Sequence, residues 1–309
     1  MSPVVAIVAP GSMGAGVGAR LAAHGAEVLT TLEGRSAASR ERARAAQMIP
    51  VAEQELARAD FVLSIVPPGA AVAFAERACS WLSAARRKPV FVDCNAVSPQ
   101  TAQRIASLVG ASGAPFVDAG IIGAPPRADA PGPNIYASGP DAPRLRELAS
   151  RGLTIRLLDA PVGAASALKM SFAGITKGLT AVGAAMLLAA IRAGVDAALA
   201  TELKESQPQL VSSFSRGLPA MFPKAYRWVA EMREIAQFAA ADPAAAAMFE
   251  GAALLYERLS RDLMGEGNEK RALESFFSAK ARASQVFSGA DASLGADAGS
   301  NSSAAPFVQ

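Results

Sequence analysis

A doubly wound, mostly parallel α/β sheet followed by an all-helical segment is the fold predicted by this 309-residue sequence. Three observations predict it. Short apolar runs of strand length alternate with helix-length segments as far as about residue 160, the pattern of a parallel sheet covered on both faces. From Ala164 onward the pattern turns helical, rich in Ala and Leu, without a convincing strand. The first apolar run, Val4–Val8, passes straight into Ala9-Pro10-Gly11-Ser12-Met13-Gly14 and then into a helical pattern.

The elements follow in order. The second strand covers 27–32, and a helix begins at about Ala37. The next buried run, 61–66, breaks at Pro67-Pro68-Gly69. A helix through Ala75 and Trp81 leads to a strand at 90–93, and a helix over about 99–108 leads to one at 116–119. Two further strands, 135–137 and 154–158, close this half. The helical half is punctuated by Pro208, Pro219, Pro223 and Pro243. The chain therefore divides into an α/β domain at 1–162, an all-helical domain at 163–287 and a tail at 288–309. That tail is so rich in Gly, Ala, Ser and Asp that it is expected to be disordered.

Composition narrows the function. With 51% hydrophobic residues the chain can bury a large core and split once. Net charge is +3 and aromatic content 6%, and the arginines are scattered, so nucleic-acid binding is not expected. The two cysteines, Cys79 and Cys94, have no disulfide or metal-site spacing and suit a reducing cytoplasm. The first residues lack a cationic segment, so a signal peptide is not expected. The uncharged stretch 178–191 is too short to span a bilayer and reads as a buried helix.

The junction after the first strand is the strongest functional signal. A buried strand ending in a glycine turn and a helix presents backbone N–H groups to an anion. In dinucleotide-binding folds of Rossmann type, three small residues make the tight turn, admit the pyrophosphate and let helix and strand pack closely. Gly11 and Gly14 suit the second and third tasks, and Ala9 stands at the first. Ser12 and Met13 complete the phosphate-binding turn. The ribose-reading segment is Glu33-Gly34-Arg35-Ser36. Glu33 is the element expected for NAD, whereas Arg35 with the Ser36 hydroxyl suits a 2′-phosphate. NADP is the favoured cofactor and NAD the lesser alternative.

Three segments at strand ends flank this turn. Val66, Pro67 and Pro68 either shape a nicotinamide pocket or simply end a strand. Asn95 either hydrogen-bonds substrate or nicotinamide, or caps the following turn. Gly120 and Gly123 either admit a ligand to the backbone or form a turn. A hydride moved between carbinol and nicotinamide needs a partner for the hydroxyl proton. His24, the sole histidine, lies in the first helix, away from strand ends. No tyrosine is followed four residues later by lysine, and zinc ligands are missing. Lys169 remains, flanked by small apolar residues that would desolvate it and lower its pKa toward that of a general base. Lys177, two helical turns along, is its rival.

These residues resemble the β-hydroxyacid dehydrogenase family, which includes 3-hydroxyisobutyrate and 6-phosphogluconate dehydrogenases. The likeness covers the chain to about residue 285. It is nearest to a bacterial and archaeal branch whose C-terminal half was long a domain of unknown function. The segment from Thr31 to Ser36, Asp118-Ala119 and Lys169-Met170 carry the closer likeness. The resemblance implies a Rossmann domain, NADP bound through Arg35 and Ser36, and a homodimer joined through the helices. It implies Lys169 as catalytic acid/base, assisted by Asn95, with substrate against Gly120, Ile122, Gly123, Phe172 and Ala173. Three positions depart from the family pattern. Ile122 replaces a carboxylate-binding serine, Ala173 an amide, and Thr176 a glutamate. The expected activity is oxidation or reduction of a small hydroxy acid or related carbinol. The alternatives are an imine reductase, which the apolar Ile122 and Phe172 would suit, and a non-catalytic NADP sensor.

Overall fold

The computed structural model describes residues 2–127, 130 and 132–287, so the expectation for the 288–309 tail lies outside the described residues. The α/β half runs β1 (Val4–Val8), α1 (Ser12–Ala23), β2 (Glu27–Thr30), α2 (Ala37–Ala45), β3 (Ile49–Pro50), β4 (Phe61–Ser64), α3 (Ala71–Ala84), β5 (Val90–Asp93), α4 (Pro99–Ala111), β6 (Phe116–Ile122), β7 (Asn134–Ser138), α5 (Arg146–Ala149) and β8 (Thr154–Leu157). The helical half comprises α6 (Ala164–Arg192), α7 (Asp196–Ser206), α8 (Pro208–Met221), α9 (Ala225–Phe238), α10 (Pro243–Met264) and α11 (Asn268–Phe287).

The strands form one sheet in the order β3-β2-β1-β4-β5-β6-β7-β8. The first six run parallel, β7 pairs antiparallel with β6, and β8 runs parallel to β7. The reversal has a local cause. A parallel return needs a crossover of a dozen or more residues, usually a helix. Among the described residues no helix lies between β6 and β7, and β7 returns antiparallel beside β6. The pairing also lengthens β6 beyond 119, with Gly120 opposite Tyr136 and Ile122 opposite Asn134. Gly120 and Ile122 are therefore strand residues, which corrects the expected loop. At the other strand ends the sequence overshoots, since β2 stops at Thr30 and β4 at Ser64.

Two apolar layers sandwich the sheet. One gathers Ile7, Val17, Leu21, Leu63 and Ile121; the other gathers Val62, Phe74, Phe91, Ile105 and Val109. A third cluster around Met170, Leu187, Met221, Met232 and Tyr256 makes the core of the helical half. Helix α6 connects the two halves. Its first turn is capped from β6, because the Asp118 carboxylate accepts from Gly163 N, Ser166 N and Ser166 Oγ at 2.9, 3.1 and 2.6 Å. Ser138 Oγ on β7 donates to the same carboxylate at 2.9 Å. An acid at a helix N-terminus satisfies N–H groups that lack intrahelical acceptors. Gly120 lets the helix lie close, since a Cβ there would stand 2.8 Å from Ala165 O and 3.1 Å from Lys169 Cβ. A second tie joins the halves at α4, where Glu234 of α9 accepts from Ser98 N at 2.7 Å and Thr101 Oγ1 at 2.8 Å. Helix α6 has the length and apolar composition to cross a membrane, with mean hydropathy 1.6. Here one of its faces is buried against β6 and the helical core.

Candidate active site

A cleft of about 840 Å3 opens along the carboxyl ends of β1, β4 and β5 and reaches across α6 to α9. Open α/β sheets bind ligands at this edge.

The first end of the cleft is mostly backbone. Ala9 takes φ +70°, a left-handed conformation that glycine adopts freely and alanine does not. The turn thus keeps its glycine-like shape without the first glycine. A Cβ on Gly14 would come within 2.4 Å of Ala9 O, so this residue must stay small for α1 to meet β1. Gly11 differs, because a Cβ there would meet nothing within 4 Å of the protein. It faces the cleft with Ser12 and Met13, and the first N–H groups of α1 have no side-chain cap.

The ribose-side wall differs from the expected cradle. Arg35 lines the cleft, and its Nε is buried without a hydrogen-bond partner. Ser36 is spent as the N-cap of α2, where Oγ accepts from Ser39 N at 3.3 Å. A serine before a helix favours this local bond, and Ser36 does not line the cleft. Ser39 and Arg42 line the cleft in its place. Arg42 is fixed by Nε donating to Pro10 O at 3.1 Å and Nη2 donating to Ser39 Oγ at 2.9 Å. Glu33 is exposed and does not line the cleft. Two guanidiniums, one with an orphaned buried donor, beside an open glycine turn fit a phosphorylated dinucleotide.

Val66, Pro67, Pro68 and Asn95 wall the middle of the cleft. Asn95 neither caps a turn nor turns its whole amide to the cleft. Its Oδ1 accepts from Val66 N at 2.7 Å, and its Nδ2 donates to Ser64 Oγ at 2.8 Å and to Asp93 Oδ1. The amide therefore ties the end of β4 to the end of β5. These bonds hold the Val66 turn in place while Asn95 itself still lines the cleft. Burial pushes Asp93 up to about 7, helped by the charge of Asp118 and opposed by the Asn95 hydrogen bonds. Burial also raises the Cys94 thiol well above its usual value, so it stays protonated.

Lys169 reaches the cleft from α6. Its ammonium makes no hydrogen bond or ion pair among the described residues. Burial lowers its pKa, and the negative charge of Glu231 opposes that fall. Lys177 lines the same cleft but is already engaged. Its Nζ pairs with Glu231 Oε2 and lies 5.0 Å from the centre of the Trp228 ring. Tyr256 fixes the helix beneath it by donating to Lys177 O at 2.5 Å. Burial lowers Lys177 as well, against the attraction of Glu231.

The expected substrate contacts divide. Gly123 lines the cleft, but Gly120, Ile122, Phe172 and Ala173 do not. Gly120 and Ala173 are buried in packing, and Phe172 is exposed on another face of α6. The far wall is supplied instead by Lys224, Tyr226, Arg227, Trp228 and Glu231. These residues stand at least 47 positions from Lys177 and form no local motif. One signal for them was present. Glu231 occupies the apolar stripe of α9 with Ala225, Met232 and Ile235, and a carboxylate in such a stripe needs a buried partner.

A family model for the NAD binding domain of 6-phosphogluconate dehydrogenase matches residues 4–148, and one for a domain of unknown function (DUF1932) matches residues 190–259. A relative from Methanothermus fervidus, an uncharacterized 28.5 kDa protein in the 7S RNA 5′ region, is 30% identical over 158 residues. The match spans 50% of this chain and 59% of that protein. A solved conserved protein of unknown function, described as structurally similar to 3-hydroxyacid dehydrogenases, is 30% identical. It aligns over 84% of this chain and 98% of its own, with a TM-score of 0.62. A Mycobacterium tuberculosis 3-hydroxyisobutyrate dehydrogenase with L-serine shares the fold at 19% identity. It covers 85% of this chain and 95% of its own, with a TM-score of 0.65.

Proposed function

The chain belongs to the family that joins the 6-phosphogluconate dehydrogenase type of NAD-binding domain to the DUF1932 domain, and from that premise we propose that it is an NADP-dependent oxidoreductase interconverting a small hydroxy acid, or related carbinol, and its carbonyl. One observation carries the reading. Lys169 stands in the cleft that begins at the glycine turn, desolvated and without a hydrogen-bond or ion-pair partner among the described residues.

Bound nicotinamide supplies or accepts the hydride. Lys169 handles the proton. As a neutral amine, its Nζ takes the hydroxyl proton while the carbinol becomes a carbonyl. As an ammonium, it returns that proton to the oxygen of the carbonyl being reduced. Its lowered pKa brings the two forms closer to balance at working pH. Lys177 is a poor substitute because its Nζ is already paired with Glu231 Oε2.

The preference for NADP is supported by Arg35, Ser39 and Arg42 at the ribose end, with Glu33 outside the cleft. An anionic substrate is supported by Lys224 and Arg227, neither of which has a carboxylate partner among the described residues. The imine reading depends on Ile122 and Phe172 as apolar walls, and both lie outside the cleft.

The test is a screen of NADPH and NADP⁺ turnover against hydroxy acids, semialdehydes, ketones and cyclic imines. On the substrate found, Lys169→Ala is expected to lower kcat about 10²–10⁴-fold, the usual worth of a general acid–base group, with NADPH affinity nearly unchanged. Lys177→Ala is expected to raise KM more than it lowers kcat. Wild-type turnover in Lys169→Ala would refute the mechanism, and the same loss of kcat in Lys177→Ala would transfer the role.

A further inference from the structure

Charge along the cleft is unbalanced. Six cationic side chains line it, Arg35, Arg42, Lys169, Lys177, Lys224 and Arg227, against one carboxylate among the described residues, that of Glu231. This surplus of five exceeds the +3 net charge of the whole chain. Arg35 and Arg42 stand at the ribose end, and Lys177 is paired with Glu231. Lys224 and Arg227 are exposed, and neither has a carboxylate partner among the described residues. With Trp228 and Glu231 they recur at i, i+3, i+4 and i+7, which sets all four on one helical face. The face that α9 turns to the cleft is therefore built around two uncompensated positive charges.

We propose that the substrate carries an anionic group, carboxylate or phosphate, at the end remote from its reacting carbon, and that Arg227 and Lys224 seat it beside Trp228. The inference rests on Lys169 as the proton carrier and narrows the substrate class of that same site. Its ground is placement. Lys177 is within electrostatic reach of both Lys169 and Arg227. The eight residues of α6 from Lys169 to Lys177 rise about 12 Å, so the seat lies on the order of 10 Å from the proton-carrying amine. The near end offers an anion less. Position 122, where the resemblance expects a carboxylate-binding serine, is an isoleucine outside the cleft. Glu231 already neutralises Lys177, whereas the Arg227 fork can present two donors to one anion. The half-buried Trp228 ring stands edge-on to Tyr256, 5.2 Å between centres, and gives the connecting carbon atoms an apolar surface.

The experiment titrates the NADPH-loaded protein by calorimetry with glycolate, 4-hydroxybutyrate and 6-hydroxyhexanoate, alcohols that the reduced cofactor cannot turn over. Hexane-1,6-diol is the uncharged control and 6-hydroxyhexyl phosphate the phosphate probe. At least one of the two six-carbon anions is expected to bind ~10-fold or more tighter than glycolate and the diol, the low end for one charge-assisted contact. Whichever of the two binds tighter identifies the anion. Arg227→Ala is expected to remove most of that gain and Lys224→Ala part of it. Affinity for NADPH and for the diol, and the melting temperature, should not change. Glycolate binding as tightly as both six-carbon anions overturns the proposal, as does a length preference that survives the double variant. Failure of every anion to bind also overturns it. In Lys169→Ala the length preference is expected to persist while turnover is lost, so the seat and the catalytic reading can fail separately. A length preference lost with Lys169 alone would move the seat to that lysine and overturn the proposal.

Discussion

At its phosphate end the cleft is walled by backbone, and at its far end by charged side chains from distant helices. The first wall is contiguous. Residues 9–14 make a turn and a helix start, and the wall's demands fall on conformation and size: φ +70° at Ala9, no room for a Cβ at Gly14 and open space at Gly11. The second wall sets Lys169 and Lys177 of α6 against Trp228 and Glu231 of α9, held by an ion pair whose members are 54 residues apart. A backbone wall recognises what is common to a class of ligands, because N–H groups belong to every residue. A side-chain wall can differ from one protein to the next without altering the fold. On the proposed function, cofactor recognition therefore lies largely in the turn, and substrate choice in the meeting of α6 and α9.

Substitutions at each wall would sharpen that contrast. Beyond the loss at Lys169, the largest effect is expected at Gly11→Val. Its side chain meets no protein atom, so the fold should keep its melting temperature. The valine would occupy the pyrophosphate approach, and steric crowding worth about 1–3 kcal/mol corresponds to a drop in cofactor affinity of roughly 5- to 150-fold. Calorimetric titration with NADPH checks this, and unchanged affinity would place the pyrophosphate elsewhere. An effect of comparable size, but confined to NADPH, is expected at Arg35→Ala. One charge-assisted contact is worth about 1.5–3 kcal/mol, so NADPH should bind roughly 10- to 150-fold more weakly while NADH is nearly unaffected. Equal affinity of the wild type for the two cofactors would return the ribose to Glu33.

The two walls were unequally legible in the sequence for the same reason. Residues 4–14 declare themselves, because strand, turn and helix start all lie within one window. Asp118 and Gly120 could be picked out as a motif. Their work of capping α6 and letting it lie close appears only when β6 meets that helix. Ser36 was ambiguous because a serine beside an arginine suits phosphate and a helix cap equally, and the structure shows the cap bond. The direction of β7 was open because a proline-rich segment does not announce a hairpin. Lys169 was reached by elimination. Its neighbour Glu231 was missed, since nothing near position 231 points to position 177.

The central claim is that Lys169 carries the proton and that the far wall sets its readiness to do so. The most direct measurement is the pH dependence of turnover in both directions, for the wild type and for Glu231→Gln. Oxidation needs the neutral amine and should rise with pH through the Lys169 pKa. Reduction needs the ammonium and should fall through the same value. That midpoint should lie below the ordinary lysine value near 10.4, because burial disfavours the charge. Glu231 opposes the fall, so removing its charge should move both limbs to still lower pH. Mirrored limbs that move down together in Glu231→Gln are the predicted result. Limbs that stay in place, or that persist unchanged in Lys169→Ala, would contradict the account.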